Sequence, residues 1–264
     1  MFPSNYLPPI PRQGLPGHSF VYFSPLSAPL PLVLSLPLPP VRFSNKHASY
    51  VWNASIVLAD MIANEEIEVE GKRVLELGYG AGLPGVVTAH KGAELVVLSD
   101  FDNARMLEDL RDTVDEAVAQ RYRSRICIAG HSFGEPTKSL VDLSPTYDTI
   151  LVADCIWDCS LHEPLLDTLL SLLSASPSAV VHFTCGFHTG RAVVADFVDL
   201  ARRRGIVAMA SQSPKEISVE GEVRMWKAPE GAARKGGLKD GREKQEERNR
   251  WTFVACFELV KNGV

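Results

Sequence analysis

Long hydrophobic runs are scarce in this 264-residue sequence, and so are the marks of export or membrane insertion. The most apolar stretch, residues 26–41, is too short for a membrane span and is broken by prolines. No cationic segment precedes an apolar one at the start. The first cation is Arg12, so no export signal is expected. Cysteine is sparse and odd in number, five residues without framework spacing, which predicts reduced thiols and a cytoplasmic protein. An excess of positive charge is also missing. The formal net charge is −5, which argues against a protein whose main task is gripping a phosphate backbone, so nucleic acid is not an expected partner. Nor does the chain have the polarity of a disordered one: 45% of residues are hydrophobic and 22% charged, enough apolar material for a large core.

What the chain has in excess is proline at its start. Eleven of 18 prolines lie in the first forty residues. Residues 1–20 are therefore expected as a flexible arm. Leu30, Leu32, Leu34, Leu36 and Leu38 then alternate, which places them on one face of an extended segment. Because proline removes ladder donors, this segment is expected at an edge or in an appended hairpin within residues 21–48. Residues 49–264 form the expected main domain. Within it, residues 227–250 carry eight cations, five anions and four glycines, and are expected as a mobile charged loop.

Helical spacing of Trp52, Ser55, Ile56, Ala59 and Ile62 predicts a helix over 49–62. Strands are predicted at 73–78, 94–100, 125–129, 147–154, 179–185, 217–219 and 251–260. Helices over 83–91, 103–120, 161–173 and 191–204 fall between them. Seven strands with interleaved helices predict an α/β, doubly wound, mostly parallel sheet. No helical signal separates the last two strands, so they are expected to pair as an antiparallel C-terminal hairpin.

Residues 73–85 read RVLELGYGAGLPG, a glycine cluster between a strand and a helix, where backbone can approach a ligand closely. Asp100 closes the next strand, where a carboxylate can accept both hydroxyls of a ribose. The loop alone admits two cofactor classes, because Gly80, Gly82 and Gly85 also spell the dinucleotide fingerprint. Glu76 two positions before Gly78, the upstream Trp-bearing segment and the C-terminal hairpin favour S-adenosylmethionine.

These residues resemble the seven-β-strand, class I methyltransferases of the lysine-targeting branch. The resemblance extends to fungal nicotinamide N-methyltransferase-like proteins, among them a methyltransferase of translation elongation factor 1A. It runs from about residue 21 to 260 and rests on YVWNAS (50–55), VLELGYGAGLPG (74–85), VLSD (97–100), GHSFG (130–134) and VADCIWD (152–158). The resemblance implies that Trp52 closes over the cofactor and that Gly78, Tyr79 and Gly80 run along its methionine part. It further implies that Asp100 holds the ribose, Phe133 lies against the adenine and Ala153 contacts the cofactor. Asp154 would then face the transferable methyl, with Trp157 as an aromatic wall for the acceptor. Two residues depart from the family pattern. Phe133 stands where Trp is usual, and Tyr79 where a small residue is usual, so its side chain must point away or reshape the pocket.

The expected partner is a protein amine, a lysine or an N-terminus, on a monomeric enzyme, with a translation factor among the acceptors. Two alternatives stand beside it: a small-molecule N- or O-methyltransferase, and a cofactor-binding homologue without catalysis. No metal is expected, since Cys155, Cys159 and His162 lack a second ligand pair. His188 follows the fifth strand and could reach the substrate mouth, although a loop histidine without function is the plainer expectation.

Overall fold

The computed structural model describes residues 14–39, 49–229 and 245–260. Two strands, β1 (Ser19–Phe23) and β2 (Val33–Pro37), form a separate antiparallel hairpin. Then follow α1 (Asn53–Ala63), β3 (Arg73–Leu77), α2 (Leu83–His90), β4 (Leu95–Asp100), α3 (Ala104–Ala117), α4 (Gln120–Arg123) and β5 (Ile126–Gly130). The second half contains α5 (Lys138–Val141), β6 (Thr149–Ala153), α6 (His162–Leu172), β7 (Val180–Gly186) and α7 (Arg191–Arg203). It ends with β8 (Ile206–Ala208), β9 (Lys215–Ser218), β10 (Val223–Met225), α8 (Gln245–Arg248) and β11 (Trp251–Leu259).

The main sheet runs β10–β9–β11–β7–β6–β3–β4–β5, with β8 on the far end of β11. Strands β5, β4, β3, β6 and β7 are parallel, and β11 is antiparallel to all its partners. The parallel strands read as continuous apolar runs because both faces are covered. Val74, Val96, Leu98 and Leu151 pack under α1, α2 and α3, whereas Leu75, Val97, Ile150 and Val152 pack under α6 and α7. The winding reverses between β3 and β6. Their starts are tied by Arg73, whose Nε and Nη2 donate to the two carboxylate oxygens of Asp148 at 3.0 and 2.7 Å. A bidentate pair of this kind fixes register as well as adding energy.

The expected hairpin at the start is present, with Leu34, Leu36 and Leu38 buried and Leu30 exposed, so the inward alternation begins at Leu32. The hairpin covers α1 and α3. Tyr22 Oη donates to Asp60 Oδ1 at 2.7 Å, and Thr113 Oγ1 to the Pro37 carbonyl at 3.3 Å. The arm assigned to residues 1–20 lies outside the described residues up to position 13. From residue 14 the chain belongs to the hairpin, with Gly17 N donating to the Leu38 carbonyl at 3.0 Å.

Other expectations are corrected. Trp52 precedes α1 as its N-cap and is not on the helix. The helix expected over 103–120 begins after Asn103, whose side chain accepts from the N–H groups of Arg105 and Met106, and it ends at Ala117. The strand expected at 217–219 is β9, shifted toward its N-terminus. A separate strand, β8, pairs with β11 further along, and Pro214 sits in the gap between the two, where a ladder donor is missing. The strand β10 went unread because its three residues are all exposed and carry no buried alternation. Of the charged loop at 227–250, residues 230–244 lie outside the described residues. Among the described residues no helix is long and apolar enough to cross a membrane.

Candidate functional site

A cleft of about 250 Å³ opens at the carboxyl ends of β3, β4, β5 and β6. In an open α/β sheet this end, beside the reversal of winding, is where ligands are held. All nine residues singled out by sequence line it: Trp52, Gly78, Tyr79, Gly80, Asp100, Phe133, Ala153, Asp154 and Trp157. They arrive from five separate segments that only the fold brings together.

The glycine loop leaves β3 at Gly78, where the N–H groups of Gly78 and Tyr79 both reach the Ser99 carbonyl on β4, at 2.8 and 3.2 Å. Gly78 has φ +67°, and a Cβ there would lie 2.5 Å from Cys155 Sγ and 3.6 Å from the Phe133 ring. A side chain would therefore fill the cradle and strain the backbone. Below the loop, Glu76 Oε2 accepts the N–H of Gly85 at 2.7 Å and draws the first turn of α2 against the strand. Tyr79 does point away from the cleft centre: it is buried, and its hydroxyl donates to the Met106 carbonyl on α3 at 2.7 Å. The departure from a small residue is thus absorbed by the core under α3.

Asp100 ends β4 with Oδ2 accepting the Gly80 N–H at 3.1 Å and Oδ1 accepting the Phe101 N–H at 2.7 Å. Each oxygen of a carboxylate has acceptor capacity for a further donor. Gly78's bare face, Asp100 at the strand end and half-buried Phe133 after β5 fit an adenosine-containing group lying across the loop. A Cβ built on Gly80 meets nothing within 4 Å, so the loop is open on that side as well.

At the end of β6, Ala153 is buried and Asp154 turns into the left-handed region with φ +61°. Asp and Asn enter that region more readily than other L residues. The Asp154 carboxylate accepts the Gly186 N–H at Oδ1, 3.0 Å, and lies 2.8 Å from His188 Nε2 at Oδ2. Burial alone would push this carboxyl upward. The His188 ring, by charge and hydrogen bond, together with the Gly186 N–H and the Cys185 thiol, outweighs burial and holds it below its ordinary value. Beside it, burial and the nearby Asp100 and Asp154 charges push the Cys155 thiol well up, so Cys155 is a neutral wall and not a nucleophile. Trp52, Tyr50, Phe101 and half-buried Trp157 give the cleft an aromatic rim.

Sequence reasoning missed the place of Tyr50, Phe101, His131 and Cys155 in this lining. Tyr50 lies within the motif YVWNAS, and its neighbour Trp52 is the available signal. His188 proves to be buried on Asp154 and not at the mouth. Cys159 is exposed, whereas His162 is buried with Nε2 at 2.9 Å from the Ile156 carbonyl, so these two do not converge.

Comparison with known proteins gives four findings. Residues 42–200 match a family model described as lysine methyltransferase. A protein N-terminal and lysine N-methyltransferase EFM7 of Gibberella zeae is 31% identical over 218 residues, covering 77% of this chain and 78% of that one. The efm7 protein of Schizosaccharomyces pombe, with the same description, is 30% identical over 165 residues, 60% of this chain and 64% of that protein's length. Among solved structures, a Streptococcus mutans protein described as a SAM-dependent methyltransferase shares the fold with TM-score 0.53 at 12% identity, over 96% of this chain and 57% of that one.

Proposed function

Because the chain belongs to the lysine methyltransferase family, we propose that it transfers a methyl group from S-adenosylmethionine to a protein amine, a lysine side chain or an N-terminus. The observation that carries this reading is a buried carboxylate, Asp154, held ionised at the end of β6 in the same cleft as the glycine loop and Asp100. Relatives described as N-terminal and lysine methyltransferases support the choice of acceptor.

When bound, S-adenosylmethionine supplies a methyl carbon already activated by a sulfonium sulfur. In our reading Gly78, Tyr79 and Gly80 offer backbone along its methionine part, and Asp100 accepts the ribose hydroxyls. Phe133 lies against the adenine with less area than a tryptophan and without an indole donor. Trp52 covers the site from the start of α1, and Ala153 leaves room beside the reacting groups. The work left to the protein is alignment and exclusion of water. Asp154 orients the incoming amine through its N–H groups, and its negative charge draws a cationic amine into the cleft. Trp157 and Tyr50 wall the approach with ring faces that favour a cation. A lysine amine must shed a proton from an ordinary value of about 10.4, which partial desolvation in such a cleft promotes.

The test is calorimetry with S-adenosylmethionine and S-adenosylhomocysteine, followed by transfer of labelled methyl in a fungal lysate and then to elongation factor 1A. Micromolar binding with label in a protein band, removed by Asp154→Asn, supports the reading. Label confined to the small-molecule fraction would replace the acceptor by a metabolite amine. Absence of binding would remove the cofactor assignment.

A further inference from the structure

The buried histidine behind Asp154 is not used by the scheme above. His188 follows β7, and only 4% of its side chain is exposed, against 7% for Asp154. Its Nε2 lies 2.8 Å from Asp154 Oδ2. Its ring meets Trp52 edge-on, with centroids 5.3 Å apart at 64°. The backbone is shaped to admit it: a Cβ on Gly186 would lie 2.4 Å from His188 Nε2. One residue of β7 completes the arrangement, Thr184, by accepting the Asp154 N–H at its carbonyl, 2.8 Å, and by donating its hydroxyl to the Ala54 carbonyl at 2.9 Å.

We propose that His188 is a positioning residue, donating from Nε2 to hold the Asp154 carboxylate in place while its ring supports Trp52. This rests on the methyl-transfer reading for its consequence, but the contact itself does not. A carboxylate has about four acceptor sites, and here three are taken by the protein, by the Gly186 N–H at Oδ1, by His188 at Oδ2 and by the Cys185 thiol. One site is left for an amine N–H. Without the imidazole, Oδ2 would be a buried anionic atom lacking its donor, and the carboxylate would be free to rotate or take up a proton. His188 is not among the residues lining the cleft and so acts through Asp154 and not on the acceptor. Because an ionised carboxylate only accepts, Nε2 must carry the proton; the tautomer is thereby fixed by geometry.

Three measurements test this. Nitrogen-15 spectra of histidine-labelled protein at pH 7.5 should show His188 protonated at Nε2. A neutral ring protonated at Nδ1 would overturn the proposal whether or not the protein is active. His188→Leu, with similar bulk and no donor, should bind S-adenosylhomocysteine within about threefold of wild type yet lose about tenfold or more in kcat on the labelled protein acceptor. His188→Gln, whose amide N–H can reach the same oxygen, should recover kcat to within about threefold of wild type. Wild-type kcat in the leucine variant, or a glutamine variant no better than leucine, would overturn it. Should the leucine variant fail to fold, the spectrum and the glutamine variant decide. If wild type labels no acceptor at all, the functional reading fails, and the spectrum still settles whether His188 holds Asp154.

Discussion

Glu76 Oε2 accepts the Gly85 N–H at 2.7 Å, while its Oε1, equally buried, has no hydrogen-bond partner among the described residues. Burial is the main cause that pushes this carboxyl up to about 8, with Gly85 opposing and the Asp100 charge assisting. The folded protein therefore binds a proton that the unfolded chain releases near its ordinary carboxylate value, and stability from this group is lost as pH rises through that interval. Glu76→Gln keeps an acceptor for Gly85 and does not ionise. Its unfolding free energy relative to wild type should climb between pH 5 and pH 9, with a slope of at most about 1.4 kcal/mol per pH unit. A difference that stays flat with pH would show that Glu76 ionises as an ordinary carboxylate.

Asp100→Ala should leave the fold intact and remove most cofactor affinity. Its carboxylate supports the backbone of Gly80 and Phe101 but lies at a strand end outside the core. Two hydrogen bonds to a charged group amount to about 3 kcal/mol or more, so calorimetry with S-adenosylhomocysteine should show weakening of roughly a hundredfold or greater. Unchanged affinity would remove the ribose assignment.

Asp154→Asn is the cleaner probe of turnover, because asparagine tolerates the left-handed backbone found at φ +61°. The variant should bind S-adenosylhomocysteine within about threefold of wild type and transfer methyl at least about tenfold more slowly. Full activity would take Asp154 out of the reaction. In the wild type, the depressed carboxyl contributes stability above its unfolded value, and that contribution should disappear as pH falls below about 4.

Tyr22→Phe tests the hairpin's attachment. The phenol donates to Asp60, whose carboxyl burial has pushed up to about 6, with the Tyr22 bond opposing and Glu66 assisting. Removing the donor leaves a half-buried carboxylate less supported once it ionises. The loss should be about 1–3 kcal/mol at pH 8, a few degrees in melting temperature, and smaller at pH 5 where the carboxyl is protonated. An equal loss at both pH values would mean that packing and not the Asp60 bond governs the effect.

Strands β3, β4, β6 and β7 were readable because each is an apolar run buried on both faces and bounded by polar or glycine residues. The glycine loop and Asp100 were readable for the same reason, since they occupy the fixed ends of those runs. The pairing of His188 with Asp154 was not, because nothing local marks it. His188 lies 34 positions from Asp154, and the two meet only through the parallel register that sets Ala153 beside Thr184. The division of the last edge into β8 and β9 also escaped, since three- and four-residue strands give too few positions for alternation to show. The spacing of Trp52 matches α1's buried face and so predicts a helical position, yet the helix starts one residue later.

The hairpin of residues 14–39 lies upstream of the region matched by the family, which starts at residue 42. Its leucines nonetheless share one hydrophobic cluster with α1, α2 and α3. An expression clone trimmed to the family boundary would thus take Leu34, Leu36 and Leu38 out of that cluster and open to water the apolar surface they close, and would be expected in inclusion bodies. The region matched by the family model begins at residue 42, whereas the hydrophobic cluster it shares begins at Tyr22.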